Sequence, residues 1–382
     1  MMIEGTPIQM PLIQPEALAP LPVSAGRYVA VLQNKKGELE ALQHASGDAW
    51  SRMTPLLEFV GPKTPKDPLT GSSVESWVKK ASAALDSHPT YIDVLRLDAS
   101  ASVQAREGLQ PVLSHIYAAA RKRRMRFLPV VPVGEATEAH IRQVQAAALA
   151  DGHGVGLRYR ILRWLPPTGM SQREVLETQL EQLSQEPESC DLLVDLEYLD
   201  EDQEIAIDGL ASQFDQMLVV GNWRSVVLMG TSMPRMMSIV EQGTVGAIPR
   251  REWDLWLALG ASGIGRVPAF GDYAVQHPYP PHDSTGNNGR ANIRYTAGNQ
   301  TLVARGIGPA TQEGPEQYQR LCQQLVERPE FAGRDYSWGD GTIQDCAEEL
   351  IEPGSRNAWR GAGTSHHMQV ATDQLQHQGP GS

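Results

Sequence analysis

The chain has 382 residues, 41% of them hydrophobic and 20% charged, with a formal net charge of −12. That is enough apolar material for a large core, and the acidic balance works against non-specific binding to nucleic acid. No apolar run approaches the ~20 residues of a membrane helix. Residues 1–26 are rich in proline, and Met1–Ser24 holds no Lys or Arg, so an extended arm is expected there rather than a signal peptide. The three cysteines, Cys190, Cys322 and Cys346, are odd in number and lack C-x-x-C spacing. A disulfide framework or a cysteine zinc site is therefore not expected, and a reducing, cytoplasmic setting is.

Short β-type runs alternate with helical patterns along the chain. The runs are Tyr28–Leu32, Pro55–Val60, Ile92–Leu97, Phe127–Val131, Gly156–Ile161, Leu192–Leu196, Ser225–Met229 and Arg266–Phe270. Most are continuous in apolar residues, as strands covered on both faces are. Helical spacing is read over Gly37–His44, Val74–Leu85, Gln104–Arg121, Thr137–Leu149, Ser171–Leu183, Asp202–Phe214 and Arg251–Leu259, with a short helix near Arg235–Glu241. Ser171 and Glu174 have the spacing of a capping box. The basic run Arg121–Arg124, with Arg126, falls at a helix C-terminus, where it complements the helix dipole; a nucleic-acid contact is the other reading.

Eight β/α units in series can form a closed barrel or a large doubly wound sheet. The first strand leads into Gln33-Asn34-Lys35-Lys36-Gly37, not a glycine-rich dinucleotide loop. An α/β fold is expected: a (β/α)8 barrel of the TIM type over residues 27–273. A C-terminal α+β extension, residues 274–375, is expected to pack on it, and residues 376–382 are expected to be a disordered tail. In the extension, Ile293–Thr296 and Thr301–Arg305 read as a hairpin, followed by helices near Glu316–Val326, Thr342–Leu350 and His366–Leu375.

In such barrels functional residues gather at the C-terminal ends of the strands. That edge offers Lys35, Glu58, Asp98, Arg158 with Arg160, Asp195 with Glu197, Thr231 with Ser232, and Asp272 with Tyr273. Residues i and i+2 of a strand share a face, so Arg158 and Arg160 make one pair and Asp195 and Glu197 another. Asp195, Glu58, Asp98 and Asp272 are the candidate acid–base or cation-binding groups. Arg158, Arg160, Lys35, Glu197, Ser232 and Tyr273 are the candidate ligand contacts. Charged residues inside a barrel can equally pair with one another and fix strand geometry. Asp340 reads as a helix N-cap. His366 and His367 read as a pair at a helix start, pointing about 100° apart and so unsuited to one ion, with a catalytic histidine as the other reading. No motif names a metal or a cofactor.

Several segments together resemble the bacterial and phage "beta protein" family. They are Tyr28-Val-Ala-Val-Leu, Lys35-Lys-Gly-Glu-Leu-Glu-Ala-Leu42, Thr54-Pro-Leu-Leu-Glu58, Asp191-Leu-Leu-Val-Asp195 and Ile248-Pro-Arg-Arg-Glu-Trp253. Phe270-Gly-Asp-Tyr273, Ile293-Arg-Tyr-Thr296, Tyr336-Ser-Trp-Gly-Asp340 and Thr364-Ser-His-His367 complete the set. Gln33 departs from the Lys or Arg that many relatives carry. The resemblance implies a role in phage–host conflict by association and assigns no reaction.

Two functions follow as expectations. One is a barrel whose mouth recognises a phosphate-bearing or nucleotide-like ligand. The other is a non-catalytic adaptor that binds a phage or nuclease partner, with Trp338 and Trp359 as exposed anchors.

Overall fold

Apolar runs of four to six residues need cover on both faces, and the chain provides it by closing on itself. A computed structural model describes residues 27–61, 69–97, 101–105, 108–279, 290–309 and 316–378. The order begins β1 (Val29–Gln33), α1 (Lys36–Gln43), α2 (Gly47–Arg52), β2 (Leu56–Glu58), α3 (Gly71–Leu85) and β3 (Thr90–Asp93). A hairpin of β4 (Ser102–Ala105) and β5 (Gly108–Pro111) precedes α4 (Val112–Lys122). Then come β6 (Phe127–Pro132), α5 (Glu138–Asp151), β7 (Val155–Tyr159), α6 (Gln172–Leu183), β8 (Cys190–Tyr198), α7 (Ile207–Leu218) and β9 (Ser225–Thr231). They are followed by β10 (Val245–Pro249), α8 (Arg251–Ala261) and β11 (Ala269–Asp272). The remainder is β12 (Arg290–Ala297), β13 (Gln300–Pro309), α9 (Glu316–Val326), α10 (Trp338–Ala347) and α11 (Arg356–Gln378).

Strands β1, β2, β3, β6, β7, β8, β9 and β11 form a closed parallel barrel, sealed where Val29 pairs with Gly271. The expected α/β barrel is present and the open doubly wound sheet is excluded. Alternation along each strand divides the side chains. Val29, Val31, Leu56, Tyr91, Val130, Leu193 and Met229 form a core inside the ring. Their neighbours, among them Ala30, Leu57, Ile92, Val131, Val194 and Leu228, pack outward in the core shared with the helices. Below this interior core, Asp191 is held by Arg224, Ser225 and the hydroxyl of Tyr91.

β10, β13 and β12 form a separate antiparallel sheet, with its own core against α9, α10 and α11. α11 then returns to the barrel. It packs against α1 and, through Gln374, on Arg250 beside α8, and so stands as the barrel's eighth helix.

Several sequence readings are corrected. Gln104–Pro111 is not the start of a helix but lies mostly in the β4–β5 hairpin, whose Gly108 has φ +110°, a value that glycine takes readily. α11 begins ten residues before His366 and carries residues 376–378, which were assigned to the tail. α2 and β10 were not foreseen. The Ser171–Glu174 capping box is present, with both reciprocal bonds made. Arg121 is paired with Asp151 at the end of α4.

Candidate functional site at the barrel mouth

Four strand ends place their inward side chains around Arg158. Its Nη1 lies 2.9 Å from Glu58 Oε1, at the end of β2, and also donates to Asp93 at the end of β3. Its Nε and Nη2 reach Asp195 Oδ2 of β8 at 2.8 and 2.7 Å. Tyr273, just after β11, accepts from Arg158 Nη2 and donates to Asp195 Oδ2 at 2.7 Å. Arg158 is only 1% exposed, so these bonds are made out of water. Burial alone would weaken its hold on the proton, but Tyr273, Asp195, Asp93 and Glu58 outweigh it and raise the pKa. Burial pushes the Tyr273 hydroxyl well above its usual pKa, so it remains a donor. Arg96 closes the tier, with Nε 2.9 Å from Glu58 Oε2.

A second tier lies at the rim. Arg160 donates to Glu135 through Nε at 2.8 Å, to Glu197 at 3.0 Å and to the Tyr279 hydroxyl at 2.7 Å. Arg163 Nη1 reaches the same hydroxyl at 2.8 Å, and Tyr279 donates to Glu197. The guanidiniums of Arg96 and Arg163 also lie 4.7 and 5.2 Å from the Tyr279 ring centroid. Burial and the bond to Glu197 push Tyr279 up to about 12. The Arg163 side chain is 54% exposed. Glu197 is displaced from simple alternation by a register break after Asp195. Its backbone has φ +54°, and its N–H bonds to Asp195 Oδ1 at 2.8 Å.

Asp272 is not in the mouth. Alternation turns Tyr273 inward and Asp272 outward, against α11. There Asp272 Oδ2 lies 2.8 Å from His367 Nε2, and Oδ1 accepts from Tyr28 and from the Ala274 N–H. His366 faces the other way, 2.9 Å from Asp340 Oδ2, with Nε2 on the Thr296 carbonyl. Both histidines sit in the middle of α11, not at a helix start, and both are 1% exposed.

The family model described as Beta protein matches residues 28–372. The chain belongs to the Beta protein family. No curated protein matches the sequence. Among solved structures, this family member is similar to type I 3-dehydroquinate dehydratase from Clostridium difficile, solved with covalently modified comenic acid. The TM-score is 0.37 and the identity 12%, over 65% of this chain and 85% of that one. It is also similar to HMG-CoA lyase from Brucella melitensis, with TM-score 0.31 and 13% identity over 64% and 80% of the two chains. No activity passes from either, and the barrel assignment rests on the strand order itself.

The candidate residues thus separate. Glu58, Arg158, Asp195 and Tyr273 converge in the lower tier, and Arg160 and Glu197 in the rim. Asp98 lies outside the described residues. Ser232 is occupied in holding the start of α8: its hydroxyl donates to Glu252 at 2.7 Å and accepts the Arg251 N–H at 3.0 Å. Lys35 is the residue preceding α1, where its charge acts on Glu38. Asp340 is not the N-cap of α10. Ser337 is, and Asp340 is buried between Tyr295 and His366. Trp359 is 1% exposed and Trp338 stacks on His44, so neither is an exposed anchor. Among the described residues, no group of three or more His, Cys, Asp or Glu is arranged to hold a metal ion. Arg158 occupies the place between Glu58, Asp93 and Asp195 where a cation would sit. No described helix is long and apolar enough to cross a membrane.

Asp93, Arg96, Glu135, Arg163 and Tyr279 were missed. Asp93 was missed because the third strand was read as Ile92–Leu97, which moved its end from Asp93 toward Asp98. Glu135 follows β6 in the turn after Pro132, where Pro132-Val-Gly-Glu135 offered the only sequence signal.

Proposed function

We propose that the barrel mouth binds a small phosphate-bearing or nucleotide-like ligand through its rim. The family resemblance suggests phage–host conflict as the setting. The observation that carries this reading is the gathering of Arg96, Arg160 and Arg163 on Tyr279, with Arg163 half open to solvent. An arriving phosphoryl group would meet Arg163 first and exchange with Glu135 or Glu197 for Arg160. Arg158, enclosed by three carboxylates, has no donor to spare; its role in this reading is to position Asp195 and Tyr273 beneath the ligand. Asp195 and Tyr273 are the acid–base pair such a ligand would face if it is turned over.

Calorimetry with a panel of nucleotides and sugar phosphates tests the proposal. At least one should bind at matched ionic strength, and R163Q should weaken it about tenfold, the loss of one charge-assisted contact. Wild-type protein that binds none of the panel, or R163Q with unchanged affinity, would overturn it. Protection of host cells against phage, lost in R163Q, tests the setting.

A partner-binding reading has its own support. The segment after β7 that carries Arg163 also exposes Leu162, Leu165 and Met170. Co-purification of a nuclease or phage protein that is lost in L165D, with ligand affinity kept, would favour the adaptor.

A further inference from the structure

The basic run at the end of α4 takes no part in the mouth. α3 and α4 run back along the barrel, so both end on the face opposite the rim, just ahead of β3 and β6. Their ends enclose a cleft of about 210 Å³, lined by Ser82, Asp86, Ser87, His88, Arg123 and Arg124. We propose that this cleft binds single-stranded RNA. It would hold one sugar–phosphate unit, with the phosphodiester on Arg123 and Arg124 and the ribose 2′-hydroxyl on Asp86.

The backbone around the cleft is strained. Asp86, Ser87 and Arg124 have φ +42°, +68° and +55°, in the left-handed region that favours glycine. Among the described residues seven non-glycine residues have positive φ, and three of them meet here. Arg124 follows the C-cap of α4, a position where glycine commonly ends a helix. The helix dipole does not call for its charge, because Arg121 and Lys122 already lie in the last turn. Arg123 and Arg124 are exposed, and among the described residues neither makes an ion pair or a side-chain hydrogen bond. A strained position filled by an arginine without an internal contact points to work at the surface.

Two further arginines add to the charge. Arg126, just ahead of β6, and Arg27, just ahead of β1, each keep a buried Nε without an acceptor, and neither makes an ion pair among the described residues. Both act on His88, whose ring stacks on Trp50 at 4.2 Å. Burial lowers the His88 pKa, Asp86 opposes, and Arg126 and Arg27 lower it further, so the imidazole is neutral at pH 7. Four guanidiniums about one carboxylate make a local positive excess in a chain of net charge −12. Asp86 selects among anions. An acidic side chain or pyrophosphate brings only acceptors to its carboxylate, whereas a ribose 2′-hydroxyl donates, and DNA lacks that group. The cleft is smaller than the roughly 300 Å³ of a small-molecule pocket, so it suits a backbone unit with the base left outside.

The proposal is independent of the rim reading, and one experiment separates them. A labelled single-stranded RNA of mixed sequence is titrated with the whole chain and followed by fluorescence anisotropy, beside DNA of the same sequence and polyglutamate. Wild-type protein should prefer the RNA, with log K falling against log salt at a slope of about −2 to −3, as for three or four phosphates. R123Q/R124Q should weaken binding about tenfold, and R163Q should not. D86N, which the left-handed region tolerates, should bring RNA and DNA to equal affinity. R124G should melt no lower than wild type, because glycine relieves the strain, yet bind RNA more weakly, so a folding defect would not mimic the loss. The site is refuted by absence of RNA binding in wild type, by undiminished binding in R123Q/R124Q, or by an effect lost only in R163Q. DNA or polyglutamate bound by wild type as tightly as RNA would refute the choice of ligand.

Discussion

His367 Nε2 lies 2.8 Å from Asp272 Oδ2, joining the last helix to the last strand of the barrel. A carboxylate only accepts, so Nε2 carries the hydrogen, and Nδ1 takes a bond from the Thr296 hydroxyl at 2.7 Å. Its neighbour His366 reaches Asp340 in the extension, so two adjacent residues clamp α11 between the two bodies. Burial lowers the His367 pKa despite Asp272, which keeps the folded imidazole neutral. The unfolded chain takes that proton near pH 6.5, so this stabilisation is full above pH 6.5 and drains as the pH falls toward the folded value. Burial would raise Asp272, but His367, Arg250 and Tyr28 outweigh it and hold its pKa below the usual range, so its contribution is lost only in stronger acid. The His367 contribution to stability should therefore fall between pH 7 and pH 5. H367Q should be less stable by roughly 2 kcal/mol at pH 7 and should show a flatter profile. His140 and His277, also lowered by burial, add slopes of the same sign, so the quantity to measure is the wild-type minus H367Q difference by urea unfolding.

Glu252 carries the opposite sign. It is buried at the start of α8, where the Ser232 N–H and hydroxyl donate to it at 2.8 and 2.7 Å. Burial raises its pKa to about 7, with Arg250 opposing and Asp272 adding to the rise. A raised carboxyl favours the fold below the unfolded value near 4.5 and loses that advantage as pH climbs through 7. E252Q keeps an acceptor for Ser232 without the charge. Its stability relative to wild type should rise by roughly 3 kcal/mol between pH 5 and pH 8. A flat difference across that range would show that Glu252 ionises freely in the fold.

Arg158 is expected to be more costly to lose than any other mouth residue. R158M removes the cation from among Glu58, Asp93 and Asp195 and leaves three buried carboxylates facing one another, with Arg96 their remaining neighbour. Breaking a buried pair from one side costs about 3–5 kcal/mol. R163Q at the exposed rim should change stability by less than about 1 kcal/mol. Chemical denaturation of the two variants checks the contrast. Similar losses would mean that the lower tier is hydrated and open.

The closed barrel was legible because apolar runs of strand length recur between helical patterns, and length plus alternation carries that signal. The lower tier was legible in part because period-two alternation places Glu58, Arg158 and Asp195 on one face. Position at a strand end does not choose between faces, and this misplaced Asp272: with the eighth strand read as Arg266–Phe270, Asp272 and Tyr273 both follow it as mouth candidates. In the actual strand, Ala269–Asp272, alternation turns Tyr273 inward and Asp272 outward. Tyr279 and Arg163 were not legible, because they lie beyond the strands in segments without period. The role of α11 was hidden as well. It is the barrel's eighth helix, yet a hairpin and two helices separate it from β11, and its Gly-Ala-Gly-Thr-Ser run breaks the amphipathic pattern.

That run is also where the last prediction lies. α1 and α11 cross at Gly37 and Gly361, so closely that a Cβ on Gly37 would sit 2.3 Å from the Asn357 carbonyl oxygen, and one on Gly361 would sit 2.9 Å from that of Gly37. Both contacts are backbone, which cannot rotate away as a side chain can, so the helices must separate to admit a methyl group. G37A and G361A should each cost about 1–3 kcal/mol even though alanine favours helix. G47A, in α2 with nothing within 4 Å of its Cβ position, should be neutral or gain up to about 1 kcal/mol. Chemical denaturation of the three proteins checks the contrast, and losses as small in G37A and G361A as in G47A would show that the crossing yields to a methyl group.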